Sequence, residues 1–140
     1  MPASRTLRVT LPIPSGQLGP NGRAHWRKKH ALFQQYKQYA YVEMLCLFTV
    51  QDVEPPHWAG TVWVDLTWQV SSRAHIPDVD NALARCKAYL DAGQAAGIYK
   101  DDRQVQMRSI IRRVGKPSQV ELTFECTDGP HGGQGDAGDD

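Results

Sequence analysis

The 140-residue chain has no apolar run approaching the roughly 18 residues of a membrane span, and a membrane role is not expected. Its opening residues, MPASRTLRVT, lack the hydrophobic centre of a secretion signal. Cysteine is scarce: Cys46, Cys86 and Cys126 are odd in number and far apart. No C-x-x-C or Cys/His spacing occurs, which argues against zinc and a disulfide framework. Three small buried thiols in a reducing cytoplasm are the expectation. No internal repeat is visible. Nor is there a large charge excess, since 16 basic side chains face 15 acidic ones for a net charge of +1.

That near-balance is uneven along the chain. The end, TDGPHGGQGDAGDD, holds four aspartates and five glycines and no large apolar residue. Such a segment cannot bury enough surface to order itself, so residues 128–140 read as a disordered acidic tail and residues 1–127 as one folded domain. Without the tail acids, 16 basic residues face 11 acidic ones, a charge of +5. A basic body suits a polyanionic partner.

Periodicity indicates strands and helices in the order βαβαββ. RTLRVTLPIP reads as a first strand, with Leu7, Val9 and Leu11 on one face. Helical spacing follows from about Lys29 to Leu47, through Tyr36, Tyr39 and Ala40. TVWVDLTWQV alternates most clearly, with Val62, Val64, Leu66, Trp68 and Val70 on one face. A second helix fits Asn81 to about Ala95, ended by Gly97. Strands near Val105–Val114 and Gln119–Cys126 are joined by the turn signal GKPS. The order predicts a small α/β or α+β domain, a mixed sheet with about two main helices packed on it.

The stretch PDVDNALARCKAYLDAGQAAGIYKDD, Pro77 to Asp102, concentrates acids beside one lysine. Asp78 and Asp80, one residue apart in extended chain, would point the same way. Asp80 and Asn81 suit the N-cap of the following helix. Carboxylates converging at a strand end make an oxygen site for a hard cation such as Mg²⁺. The plainer alternative is that Asp80 only caps and Asp78 is solvated. A calcium loop starting at Asp78 fails, because its sixth and twelfth positions hold Leu83 and Tyr89. On one continuous helix Lys87 lies about 20° around from Asp80, so its ammonium can reach back toward the acids. Alternatively its stem snorkels along the core edge.

These residues resemble the signature of RusA-type Holliday junction resolvases. The matching parts are DVDN, then Lys87 and Asp91 four apart, then AAGIYKDDRQV. The segment PNGRAHWRKKHALFQQYKQYA also resembles that family's N-R-x-x-W-R segment and first helix. The resemblance implies a metal-dependent endonuclease that resolves four-way DNA as a homodimer by paired nicks. By motif position, Asp78, Asp80 and Asp102 would be catalytic metal-binding carboxylates and Lys87 the catalytic lysine. Mg²⁺ would be the cofactor, with Mn²⁺ as substitute and no small-molecule cofactor. Asn81 and Lys87 are six apart where better-known members have three, so Arg85 is kept as an understudy to Lys87. Asp91 and Asp101 are carried as neighbours. A bacterial, phage or prophage source and a cytoplasmic location suit the family.

DNA contacts are expected from Asn21, Arg23, His25, Trp26, Arg27, Lys28 and Lys29, where phosphate-binding groups surround one aromatic. Core packing is the alternative for Trp26. Arg103, Arg108, Arg112, Arg113 and Lys116 could extend the basic surface. His75 is read as a loop histidine, with proton transfer as the alternative. Rival functions are a non-catalytic nucleic-acid-binding module, a metal-stabilised structural domain, and a nuclease acting mainly on other branched DNA.

Overall fold

The computed structural model describes residues 5–126, so the expectation for the tail lies outside the described residues. The elements are β1 (Arg5–Leu11), α1 (Trp26–Gln51), β2 (Val62–Val70), α2 (Val79–Arg85), α3 (Lys87–Ala95), β3 (Val105–Val114) and β4 (Gln119–Cys126). Single 3₁₀ turns lie at Gly16–Leu18, Arg73–His75 and Asp102–Gln104. The four strands form one mixed sheet in the order β1-β4-β2-β3. Strand β4 is antiparallel to both neighbours, and β2 and β3 are parallel. The fold is α+β.

The alternation in β2 works as its sequence implies. Val62, Val64, Leu66, Trp68 and Val70 are all buried, and they meet Val120, Leu122 and Phe124 of β4 and Leu7, Val9 and Leu11 of β1 in one core. Helices α1 and α3 cover this face, with Ala40, Met44 and Phe48 as the buried stripe of α1. The opposite face is polar. There Arg108 pairs with Asp65 and with Glu125, at 2.7 and 2.6 Å. Donation from Arg108 holds the Asp65 carboxyl below its usual range. No helix among the described residues is long and apolar enough to cross a membrane.

Three features depart from the sequence expectation. Helix α1 is longer than Lys29–Leu47. His25 caps its start, with Nδ1 accepting from the Arg27 N–H at 3.1 Å, and Asp52 ends it in the left-handed region at φ 55°. The second helix is two helices, broken at Cys86 with φ −93° and ψ 1°. Strands β3 and β4 follow one another through GKPS but do not pair, because β2 lies between them. The connection crosses the end of β2, where Gly115 N–H donates to Val70 O (2.8 Å) and Gln69 Nε2 donates to Pro117 O (2.9 Å).

Candidate active site

The acidic motif begins at a helix start. Asp78 is the N-cap of α2, its Oδ1 accepting from Asn81 N–H at 2.7 Å. This corrects the assignment of the cap to Asp80 and Asn81. Asp80 lies inside the first turn, exposed, without an ion pair or side-chain hydrogen bond among the described residues. Only Asp78 has extended backbone, so the two carboxylates do not share a direction through strand alternation. A carboxylate in the first turn is favoured by the helix dipole.

The β1–α1 connection is stitched to this motif. Arg85 donates through Nε and Nη2 to Pro14 O at 3.2 and 2.6 Å, and Tyr89 OH donates to Pro12 O at 2.5 Å. Gly19 approaches Asn81 so closely that a Cβ there would lie 2.1 Å from Asn81 Oδ1. Gln17 Oε1 accepts from Arg23 and Ala24 N–H at 3.0 and 2.9 Å, which orders the basic loop beside the acids.

Lys87 begins α3. Its Nζ lies 2.7 Å from Asp91 Oδ1 and 3.9 Å from Asp102 Oδ2. Carboxylates from the middle and the end of the motif therefore meet around one ammonium, whereas Asp78 and Asp80 make no ion pair with it. The break at Cys86 removes the continuous helix on which the reach of Lys87 was argued. Its side chain is 53% exposed, so it does not lie buried against the core. Arg85 goes elsewhere, with its guanidinium 4.8 Å over the Trp68 ring, and is not placed as an understudy to Lys87.

Asp101 is occupied with structure. Its carboxylate accepts from Arg103 N–H, Nε and Nη2, which holds its pKa down at about 2. Gln104 completes a capping box, accepting from Asp101 N–H at 2.9 Å and donating to Trp58 O and Gly60 O at 2.7 and 2.8 Å. It thereby fixes the turn that presents Asp102. Sequence reasoning assigned Gln104 no role. The signal was there, since Asp followed three residues later by Gln is the capping-box spacing.

The implied divalent cation can be judged by donor chemistry. Asp78, Asp80 and Asp102 are exposed oxygen donors, and Mg²⁺ commonly takes one or two protein carboxylates along with water and phosphate oxygens. The donor type fits. Among the described residues, however, no three His, Cys, Asp or Glu side chains gather as one ligand group. Asp78 is turned to the backbone of α2, and the Lys87 ammonium approaches Asp102.

The basic loop is open. Trp26 is 66% exposed, which sets aside core packing, and it lies under the Arg27 guanidinium at 5.2 Å. Asn21, Arg23, His25, Arg27 and Lys28 are exposed and Lys29 is half-buried. No described carboxylate pairs with a cation of this loop. The later arginines contribute less than expected, because Arg103 is bound to Asp101 and Arg108 to Asp65 and Glu125. Arg113 donates to Gln69 Oε1, while Lys116 is exposed.

Fold and site together define an α+β domain with a lysine–carboxylate cluster and an exposed basic loop. No family model matches the chain. It is similar to a protein of Xylella fastidiosa (strain Temecula1 / ATCC 700964) described as uncharacterized. The two are 31% identical over 126 residues, which cover 83% of this chain and 74% of that protein. The chain belongs to the same family as this relative, whose description assigns no activity.

Proposed function

We propose that the chain is a metal-dependent, structure-specific endodeoxyribonuclease of the RusA kind, a cytoplasmic homodimer that resolves four-way DNA junctions. The observation that carries this reading is the meeting of Lys87, Asp91 and Asp102 at 2.7 and 3.9 Å, at the positions where the motif resemblance requires a lysine and a carboxylate together. Asp78, Asp80 and Asp102 are the residues that would hold Mg²⁺. When bound, the ion supplies Lewis acidity toward the phosphate and lowers the pKa of water. Lys87 contributes positive charge where negative charge grows on the phosphate oxygens. Asp91, 2.7 Å away, keeps that ammonium aimed. The basic loop binds backbone phosphates, and Trp26 offers a face for stacking against a base.

A second reading is favoured by one observation, the lack of a gathered three-carboxylate group among the described residues. It is a nucleic-acid-binding module without catalysis. Incubation with a synthetic four-way junction and with linear duplex, in Mg²⁺ and in EDTA, separates the two. Paired nicks in the junction that need Mg²⁺ support the nuclease. Tight junction binding without cleavage in either Mg²⁺ or Mn²⁺ would establish the module instead.

A further inference from the structure

Arg85 is the one half-buried arginine that the proposed chemistry leaves without a task. Burial lowers its pKa, yet a guanidinium stays charged in proteins. Among the described residues two of its five N–H donors are used, both on the Pro14 carbonyl. Lys87, Arg103 and Arg108 each have a carboxylate partner, whereas Arg85 has none among the described residues. A half-buried charge without a counter-charge is costly, and the cost falls when an anion arrives.

The space for that anion is present. Arg85 lines an open cavity of about 530 Å³ together with His75, Asn81 and Ser118, and Ile13 and Ile76 form part of its wall. None of its lining residues is acidic. Arg112 is held near one lining residue, its Nη1 donating to the Pro77 carbonyl at 3.1 Å. The planar fork of arginine suits a tetrahedral oxyanion that accepts two hydrogen bonds.

We propose that this cavity is a phosphate subsite, in which Arg85, flanked by His75, Asn81 and Ser118, holds a backbone phosphate of the bound DNA strand next to the Asp78–Asp80 motif. The assignment to DNA rests on the nuclease reading, whereas the phosphate chemistry does not. Arg85 here is a binding residue, held in place by Pro14 and Trp68.

The test uses the full chain labelled with ¹⁵N. It is titrated with inorganic phosphate, with a short single-stranded oligodeoxynucleotide, and with the uncharged methylphosphonate analogue of that oligonucleotide. The Arg85 Nε and Ser118 amide resonances are expected to shift and saturate with the first two and to stay still with the third. Arg85→Gln and Ser118→Glu should each weaken this binding by about tenfold or more, the loss of a charge-assisted contact or its repulsion. Arg103→Gln should leave it unchanged. Ser118 is exposed, so its variant keeps the test decisive if Arg85→Gln does not fold. Resonances that stay still, or that move equally in Ser118→Glu, overturn the subsite. Shifts with inorganic phosphate alone, with junction KM unchanged in Ser118→Glu, overturn its assignment to DNA. Arg85-dependent oligonucleotide shifts in a protein that cleaves no branched DNA would uphold the subsite while the nuclease reading fails.

Discussion

Asp80 and Lys87 carry the proposed chemistry at the scale of single residues, and each can be removed without disturbing the core, since both are exposed. Asp80→Asn should lower junction cleavage by about 100-fold or more while binding survives. The change removes a charged metal donor and also relieves repulsion toward phosphate. Wild-type nicking rates in this variant would defeat the assignment. Lys87→Ala should lower kcat by about 100-fold, with metal affinity little changed, because its role is to stabilise transition-state charge. Single-turnover rates measured against Mg²⁺ concentration separate those effects. Asp101 tests the electrostatics independently. Its donors from Arg103 hold its pKa at about 2. A depressed carboxylate pKa adds stability above the unfolded-state value, and that stability is lost as pH falls through about 2. In Arg103→Ala the Asp101 midpoint should return toward about 4, read by NMR of its carboxyl carbon. An unmoved midpoint would show that Arg103 is not the cause.

Among the elements, the break between α2 and α3 matters most. At Cys86 the chain satisfies two tertiary demands. Arg85 lies over Trp68 and bonds Pro14, while Lys87 opens α3 toward Asp91 and Asp102. Cys86 itself is buried and its thiol is pushed up to about 12 by desolvation, so it should resist labelling in the native protein. Cys46 on α1 is exposed and should react at once with a thiol reagent. Rapid labelling of Cys86 would mean that the break opens in solution. Helix α3 is seated by Gly93, where an added Cβ would lie 2.7 Å from the Tyr99 hydroxyl and 3.0 Å from its ring. Tyr99 is fully buried and its hydroxyl donates to Leu90 O, so it cannot easily give way. Gly93→Ala should cost about 1–3 kcal/mol, measured by urea unfolding.

For the whole molecule the proposed function makes a demand on assembly. Paired nicks in a junction with approximate two-fold symmetry call for two sites, and each chain offers one lysine–carboxylate cluster. Two surfaces can supply a C₂ contact: the exposed Tyr39, Val42 and Val50 on α1, or the unpaired edge of β3 with Ile111 and Val114 exposed. Sedimentation at micromolar concentration should give about twice the 15.7 kDa chain mass. A monomer that still made paired, symmetric nicks would refute the dimer. Deleting residues 128–140 should leave cleavage intact, because the basic loop and the acid motif both lie before them. A large loss would give the tail a role.

Much of this protein is set by local pattern. Alternation along Val62–Val70 determined a strand and its buried face, because side chains on a strand point to opposite sides in turn. The extents of β3 and β4 were legible on either side of the turn signal GKPS. The gathering of Lys87 with Asp91 followed from four-residue spacing on a helix. Strand neighbours were not legible, since hydrogen bonding across a sheet depends on where the chain returns, and β4 returned beyond β2. The helix break at Cys86 was equally hidden, because no glycine or proline marks it and the groups that Arg85 meets beside it, Pro14 and Trp68, are distant in sequence. Nor could spacing tell that Asp78 would cap α2 while Asp80 stayed exposed, or that Arg85 would face a cavity with no acid in it. Those are placements in three dimensions, decided by what each side chain met when the sheet and helices packed.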